Sequence, residues 1–429
     1  MIVPAHRLLV LSAAVILPAA TIAGLFPSLL PPCAAIVTAC ALAAAIDATR
    51  GGECLQSLAI RTPPFVRFTK DVPGVIPITI ENTTAVPLTA RLALEVSGIT
   101  AEPIQEITAA PGASLLEWPC TGRIRGDHAL RELHIETLSP WSLWQVRAAR
   151  AAAFTFRVYP NLRDRATAAL FLKNAPGLRM RRQVGKGREF DNLRHYLPGD
   201  NFEDIHWKAT ARRAFPIVKL YRVEHAQEVY AVIDSSRLSA REGILESYVD
   251  ATLHLAIVAQ RQGDKFGLVT FSDRTHRFLR ARGGLDHFRL CRETIYNLRA
   301  ERVSPDFREV FTSLQLNLRR RSLLVFFTSL DDALLAETFE QEVPLLARRH
   351  LVLVNVTQTA AMKPLFTGAP PADLDGLYQS LAGQMLWNRM RSLEIALRQR
   401  GVKLSLVDAA RIKQRVTAEY LEVKRRQVL

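Results

Sequence analysis

The chain has 429 residues, enough for two or three domains, and 48% of them are apolar, enough for a sizeable core. Lysine and arginine exceed aspartate and glutamate, 56 to 41, which leaves a formal net charge of +15 and points to an anionic partner or surface. Five cysteines, at 33, 40, 54, 120 and 291, show no C-x-x-C spacing and are odd in number, so neither a zinc framework nor a disulfide framework is indicated.

From Leu8 to Ile46 there are 39 residues without a charge. That is about twice what one helix needs to cross a bilayer. Pro27, Pro31 and Pro32 interrupt the run near its middle, and proline breaks the helical ladder. The reading is a transmembrane hairpin within residues 1–50, with spans at about 8–26 and 29–46. A signal peptide is the competing reading, from His6 and Arg7, the apolar Leu8–Leu17 and the small residues that follow. Arg7 precedes the pair, and Arg50, Arg61, Arg67 and Lys70 follow it. The positive-inside rule then puts both ends in the cytoplasm, at the cell inner membrane.

Residues 60–160 carry short runs such as Val75–Ile80, Leu88–Val96, Leu130–Ile135 and Phe154–Val158, separated by turn clusters such as Asn82-Thr83-Thr84 and Arg125-Gly126-Asp127. This spacing predicts an antiparallel, sandwich-like β-domain. Leu88, Ala90, Leu92, Leu94 and Val96 alternate as a half-buried strand requires. Trp141 and Trp144, in SPWSLW, read as a packed corner or a protein contact.

Residues 161–228 form a linker and a dense mixed-charge segment, GKGREFDNLRHYLPGDNFEDIHWKATARR from Gly185 to Arg213. It is too charged for a core, yet Phe190, Leu193, Tyr196, Ile205 and Trp207 favour burial. It reads as a structured loop or short helices held by ion pairs, or as a docking surface. His195, His206 and His225, with Glu189, Asp200 and Asp204, lack the spacing of a known metal site. The segment resembles the signature of the domain-of-unknown-function family numbered fifty-eight. The resemblance is carried by Gly187, Glu189 and Phe190, then Arg194, Tyr196, Pro198, Gly199 and Asp200, then Trp207, Lys208 and Arg212. It implies a membrane hairpin, a β-domain, this signature and then a von Willebrand factor type A-like domain. It also implies a partner, a MoxR-type AAA+ ATPase, in chaperone-like maturation or assembly of a client protein.

From residue 229 to 429 the pattern becomes α/β, so the whole is an α+β multidomain chain. Val229–Ile233, Phe266–Phe271, Ser322–Phe327, Leu351–Val356 and Leu404–Val407 are continuous apolar runs, as in parallel strands buried on both faces. Helical stretches lie between them, at about Gly243–Gln262, Leu285–Ala300, Asp306–Arg319, Ala333–Arg349 and Gly383–Arg400, which predicts a doubly wound fold. Its crevice lies beyond the carboxyl ends of the strands, lined by Asp234–Ser239, Val303–Asp306 and Thr328–Asp331. The resemblance implies a metal-ion-dependent adhesion site there. Asp234 and Ser236 fit its first loop. Leu238 replaces the second serine, Pro305 stands at the threonine position, and Ser329 stands at the aspartate position, with Asp331 two residues on. A degenerate magnesium site is one reading, since magnesium demands hard oxygen ligands. Helix starts are the other, with Ser239 to Glu242 and Asp306 to Glu309 as capping boxes.

No G-x-x-x-x-G-K-[ST] phosphate loop, G-x-S-x-G elbow or H-E-x-x-H motif occurs. Basic clusters at Arg179–Arg182, Arg319–Arg321, Arg348-Arg349 and Lys424–Arg426 sit in no recognisable nucleic-acid module, and anionic lipid headgroups explain them better. Lys413–Arg426 reads as a basic, partly amphipathic terminal helix close to the membrane, or as a solvated face. The expectation is a membrane-anchored interaction protein that is not an enzyme and needs no cofactor. The alternatives are a metal-dependent von Willebrand type A ligand-binding protein and an uncharacterised hydrolase using Glu189 or Asp200.

Overall fold

In the computed structural model the described residues are 1–94, 96, 98–161, 184–213, 215–222, 226–241, 243–359, 362–365 and 373–426. They fall into two compact units divided after Asn161.

The first unit begins with a short strand, β1 (Ile2–Pro4), and two apolar helices, α1 (His6–Leu25) and α2 (Leu30–Gln56), joined at Pro27–Leu29. Pro31 and Pro32 lie in the first turn of α2, where proline costs no hydrogen bond. Both helices are long and apolar enough to cross a membrane. At 1.5 Å per residue α1 is about 30 Å long and α2 about 40 Å. The second helix thus runs ten residues past the expected end at Ile46. Charge ends the apolar run but not the helix, because Ala44, Asp47, Gly51 and Leu55 form one buried stripe along it.

That stripe packs on a β-sandwich. One sheet runs β1-β10-β9-β5-β7, built from β5 (Leu88–Leu94), β7 (Ile104–Ala109), β9 (Gly126–Leu138) and β10 (Trp144–Tyr159), with β3 (Phe65–Thr69) parallel to β10. The other runs β2-β4-β8-β6, from β2 (Leu58–Arg61), β4 (Pro73–Asn82), β6 (Ile99–Ala101) and β8 (Gly112–Gly122). The alternation expected of a sandwich is present: Ile76, Ile78 and Ile80 point into the core with Ala90, Leu92, Trp118, Leu133, Ile135 and Phe156.

Helix and sandwich meet through Asp47, which is fully buried. It accepts from Ser139 Oγ (2.5 Å), Trp141 N (3.0 Å) and Leu143 N (3.3 Å). Trp144 Nε1 donates to the Ala44 carbonyl (2.7 Å), and the Arg50 guanidinium lies over the Trp141 ring. SPWSLW is therefore a packed corner against α2 at Trp144, while Trp141 keeps 48% of its surface exposed.

In the second unit β11 (Val184–His195) pairs antiparallel with β12 (Ile217–Arg222), and their connection carries a short turn, Phe202–Asp204, and α3 (Trp207–Arg213). A six-stranded sheet follows, in the order β15-β14-β13-β16-β17-β18. Its strands are β13 (Glu228–Asp234), β14 (Lys265–Phe271), β15 (Thr275–Arg282), β16 (Leu323–Thr328), β17 (Leu351–Thr357) and β18 (Val402–Val407). All neighbours are parallel except β14 and β15. Helices α4 (Ile244–Arg261), α5 (Leu285–Ile295) and α10 (Ile412–Arg426) contribute Tyr248, Leu255, Phe288, Cys291, Val416 and Tyr420 to the core on one face. Helices α6 (Phe307–Asn317), α7 (Ala333–Glu342), α8 (Pro344–Ala347) and α9 (Leu374–Gln399) contribute Phe307, Phe311, Phe339, Leu346 and Met390 on the other. Both faces are covered, so the strands read as continuous apolar runs.

Three sequence expectations change here. Pro344 divides the stretch expected as one helix from Ala333 to Arg349, since it starts α8 at its first position. The stretch expected from Gly383 begins at Leu374 instead, capped by Asp373, whose carboxylate accepts from Gly376 N (2.8 Å). Ser239 caps no helix. It sits in a tight turn, α4 starts at Ile244 behind Gly243, and the Ser239 hydroxyl is buried without a hydrogen-bond partner. The terminal helix α10 is amphipathic, as expected: Tyr420 is fully buried on one side, and Lys424 pairs with Asp264 (2.8 Å).

Candidate functional site

Strand order reverses between β13 and β16, the switch point at which parallel sheets open a crevice. The sequence places Asp234 at the carboxyl end of β13 and Thr328 at that of β16. They meet: Thr328 Oγ1 donates to Asp234 Oδ2 (2.6 Å), and Ser236 N donates to Asp234 Oδ1 (2.8 Å). Asp234 has no exposed surface. Burial pushes its carboxyl above the usual range, and the donors from Ser236 and Thr328 pull against that. Ser236 is equally buried, and its Oγ accepts from Leu238 N (3.3 Å).

The three predicted loops do converge, through an arginine. Arg237 donates from Nε to Ser304 Oγ (2.9 Å) and from its terminal nitrogen to Asp332 (2.7 Å). This hydrogen bond holds the Asp332 carboxyl below the usual carboxylate range. Arg241 pairs with Asp331, which also accepts from Ser329 Oγ (2.9 Å). Magnesium needs a near-octahedral shell of hard oxygens. Both Asp234 oxygens are taken by protein donors, Leu238 is apolar and buried, two guanidinium groups hold Asp331 and Asp332, and Asp306 caps α6 by accepting from Glu309 N. The residues present do not fit a magnesium ion. Arg237 and Arg241 escaped the sequence reading because the adhesion-site pattern lists only oxygen ligands. The signal available was their positions, three and seven residues after Asp234.

The signature builds the second site. Arg194 and Asp200 form an ion pair across the turn (2.6 Å), and Asp200 also accepts from Leu197 N (2.9 Å). The hydrogen bond from Arg194 draws the Asp200 carboxyl below its usual range. Gly199 lies between them at φ +106°, a conformation that disfavours side chains, and Pro198 precedes it. His206 Nδ1 accepts from Ala209 N (3.1 Å) and so caps α3, while His206 N donates to the Ile217 carbonyl. The Ile217 N–H donates to Thr210 Oγ1 (3.1 Å), tying α3 to β12. No metal-ligand grouping of His195, His206, Asp200 and Asp204 forms among the described residues. His225 and the 179–182 cluster lie outside them, as do the side chains of Glu189 and Phe190, which with Gly187 give their backbone to β11.

The expectation that the signature aromatics are buried is corrected. Ile205 is buried, and Tyr196 is half-buried and stacks on Phe202. Phe202 is 71% exposed, Trp207 68% and Leu197 57%. Lys208 and Arg212 are exposed beside Trp207 on α3. The frame is braced internally and shows large apolar side chains outward.

Residues 192–364 match the family described as "Protein of unknown function DUF58". No curated protein sequence matches the chain. Among solved structures, the α/β part is similar to the SpRpn10 VWA domain (11% identity, TM-score 0.28, 44% of this chain and 94% of that one). It is also similar to the conserved hypothetical protein BatB from Bacteroides thetaiotaomicron (11% identity, TM-score 0.28, 46% and 98%). A PapD-like domain of human CEP192 is a further similar structure (11% identity, TM-score 0.19, 24% and 87%). The fold class stands on the strand order and the three cores: two apolar helices, a β-sandwich and a von Willebrand type A-like α/β domain with a mixed sheet.

Proposed function

We propose that this chain is a membrane-anchored protein-interaction module whose signature connection docks a MoxR-type AAA+ ATPase, in chaperone-like maturation or assembly of a client. The carrying observation is the exposure of Phe202, Trp207 and Leu197 on a connection held by the Arg194–Asp200 pair. A large apolar side chain presented by a rigid frame is what an interface anchor requires. The family resemblance supports the choice of partner. No phosphate loop occurs in the chain, which fits a division of labour in which the partner hydrolyses ATP. Trp207→Ala is expected to weaken capture of the ATPase by the full chain in detergent by about thirtyfold, about 2 kcal/mol at an anchor position, with the melting midpoint unchanged. Undiminished capture by both Trp207→Ala and Phe202→Ala rules the surface out.

The two apolar helices support a bilayer anchor. Both ends of the hairpin return to the sandwich, through β1 on β10 and through the last turns of α2, as an even number of spans requires. With Arg7 and Arg50 flanking the pair, both ends belong in the cytoplasm. Reporter fusions at residue 28 and at the C-terminus are expected to report opposite sides. Two fusions on the same side contradict the hairpin.

A further inference from the structure

The carboxyl end of β14 carries a second group of polar side chains that no sequence motif announced. Phe271 ends the strand inside the core, and Ser272, also without exposed surface, turns the chain. The Ser272 N–H donates to the Arg274 carbonyl (3.0 Å), and its own carbonyl accepts from Asp306 N (3.2 Å). The turn puts Asp273 at the surface and His276 on β15. Glu301 arrives from the neighbouring loop, fixed by its N–H on the Ser235 carbonyl (2.7 Å).

Four side-chain atoms converge there. His276 Nε2 is 2.6 Å from Ser272 Oγ and 3.3 Å from Glu301 Oε2. Ser272 Oγ is 2.9 Å from Glu301 Oε2 and 2.9 Å from Asp273 Oδ1. The ligand atoms of Asp273, His276 and Glu301 all lie within 4.8 Å of one another.

Charge at this spot is unbalanced. Two carboxylates share one imidazole and one hydroxyl, and a hydroxyl has a single proton to give. No lysine or arginine pairs with Asp273 or Glu301 among the described residues. This is unexpected in a chain with fifteen surplus positive charges. Other carboxylates of this unit do find cations: Asp331 has Arg241, Asp332 has Arg237 and, at the opposite end of β14, Asp264 has Lys424.

A serine-nucleophile relay does not explain the group. Such a relay needs the carboxylate on the ring nitrogen opposite the serine. Here Ser272 and Glu301 meet the same nitrogen, and the serine is buried.

The geometry points to a divalent transition-metal site of the zinc class, with His276 Nε2 and the Asp273 and Glu301 carboxylates as ligands, Ser272 Oγ beside them, and an outward position left for water. Imidazole with carboxylates suits zinc or manganese better than magnesium. Zinc–nitrogen and zinc–oxygen bonds near 2.1 Å give a tetrahedral edge of about 3.4 Å, close to the 3.3 Å between His276 and Glu301. The site lies one strand from the crevice where magnesium does not fit, and it is independent of the docking proposal.

The test uses the full chain in detergent, stripped with EDTA and titrated calorimetrically with zinc chloride, and separately with manganese and magnesium chloride. One saturable zinc per chain is expected, with magnesium at least tenfold weaker. Glu301→Gln and His276→Ala are each expected to weaken zinc at least tenfold, and Asp234→Asn to leave it unchanged. The half-exposed Glu301 keeps the test valid if His276→Ala does not fold. Absence of saturable zinc binding, or zinc binding that survives Glu301→Gln unaltered, overturns the assignment. The second outcome places the metal on histidines or cysteines elsewhere.

Discussion

Asp47→Ala is expected to undock the second apolar helix from the sandwich. The carboxylate is fully buried and accepts from Ser139, Trp141 and Leu143. Hydrogen bonds to a charged group each contribute about 1.5–3 kcal/mol, and donors left unmatched in a dry contact cost more than the bond they lose. The combined effect on the first unit is about 3 kcal/mol or more. Gly51→Leu attacks the same contact by volume: even a Cβ at Gly51 stands 2.9 Å from Val146 Cγ2 and 3.1 Å from Ser139 Cβ. Overpacking of this kind costs about 1–3 kcal/mol. Thermal melts of the full chain in detergent, with hydrogen exchange at the Trp141 and Leu143 amides, read both variants. An unchanged midpoint with unchanged amide protection refutes the contact's importance.

Asp234 gives the second large effect, and its sign depends on the replacement. Asp234→Ala strands the Ser236 amide and the Thr328 hydroxyl and leaves a small void, a cost of about 2–4 kcal/mol. Asp234→Asn keeps an acceptor for Ser236 and turns its amide toward Thr328, whose hydroxyl can rotate to accept. Burial raises the folded-state pKa of Asp234 above the unfolded one. Its contribution to stability is therefore fully present below the unfolded carboxylate value, near 4, and is lost as pH rises through the raised folded value. Asparagine does not titrate, so its stability relative to the parent should improve as pH rises toward neutral. Denaturant midpoints at several pH values check this. Should asparagine cost as much as alanine at neutral pH, the ionised carboxylate has a cationic partner and the magnesium reading returns.

The large-scale architecture was legible because burial writes periodicity. Thirty-nine uncharged residues broken by prolines, alternation in Leu88–Leu94 and solid apolar runs at β13, β14, β16 and β17 each reflect a different solvent on each face. Strand β15 was not legible: THRFLRAR is half-exposed at the sheet edge, so only part of it carries the hydrophobic signal. The continuation of α2 past Ile46 was hidden by Asp47 and Arg50, because a buried carboxylate looks like a surface one until its donors are known. Asp234 and Ser236 were found by spacing. Arg237 and Arg241 were not, since a degenerate motif does not say what replaces the missing ligands. The Ser272–His276–Glu301 group draws on two separate segments, the turn from β14 into β15 and the loop at Glu301, and no linear pattern joins them.

Helix α2 has no break between its proline-rich start and its last turn against β9 and β10. In a bilayer such a helix answers a thickness mismatch by tilting. With no hinge between the lipid-facing turns and the Asp47 contact, tilting becomes rotation of the whole sandwich, like the head of a stiff lever. The extramembrane lever arm, about ten residues, is about 15 Å long, so even a modest lean shifts the sandwich sideways by several ångströms. In a bilayer, lipid composition is then an input to where the sandwich sits, transmitted by the bend resistance of a single helix.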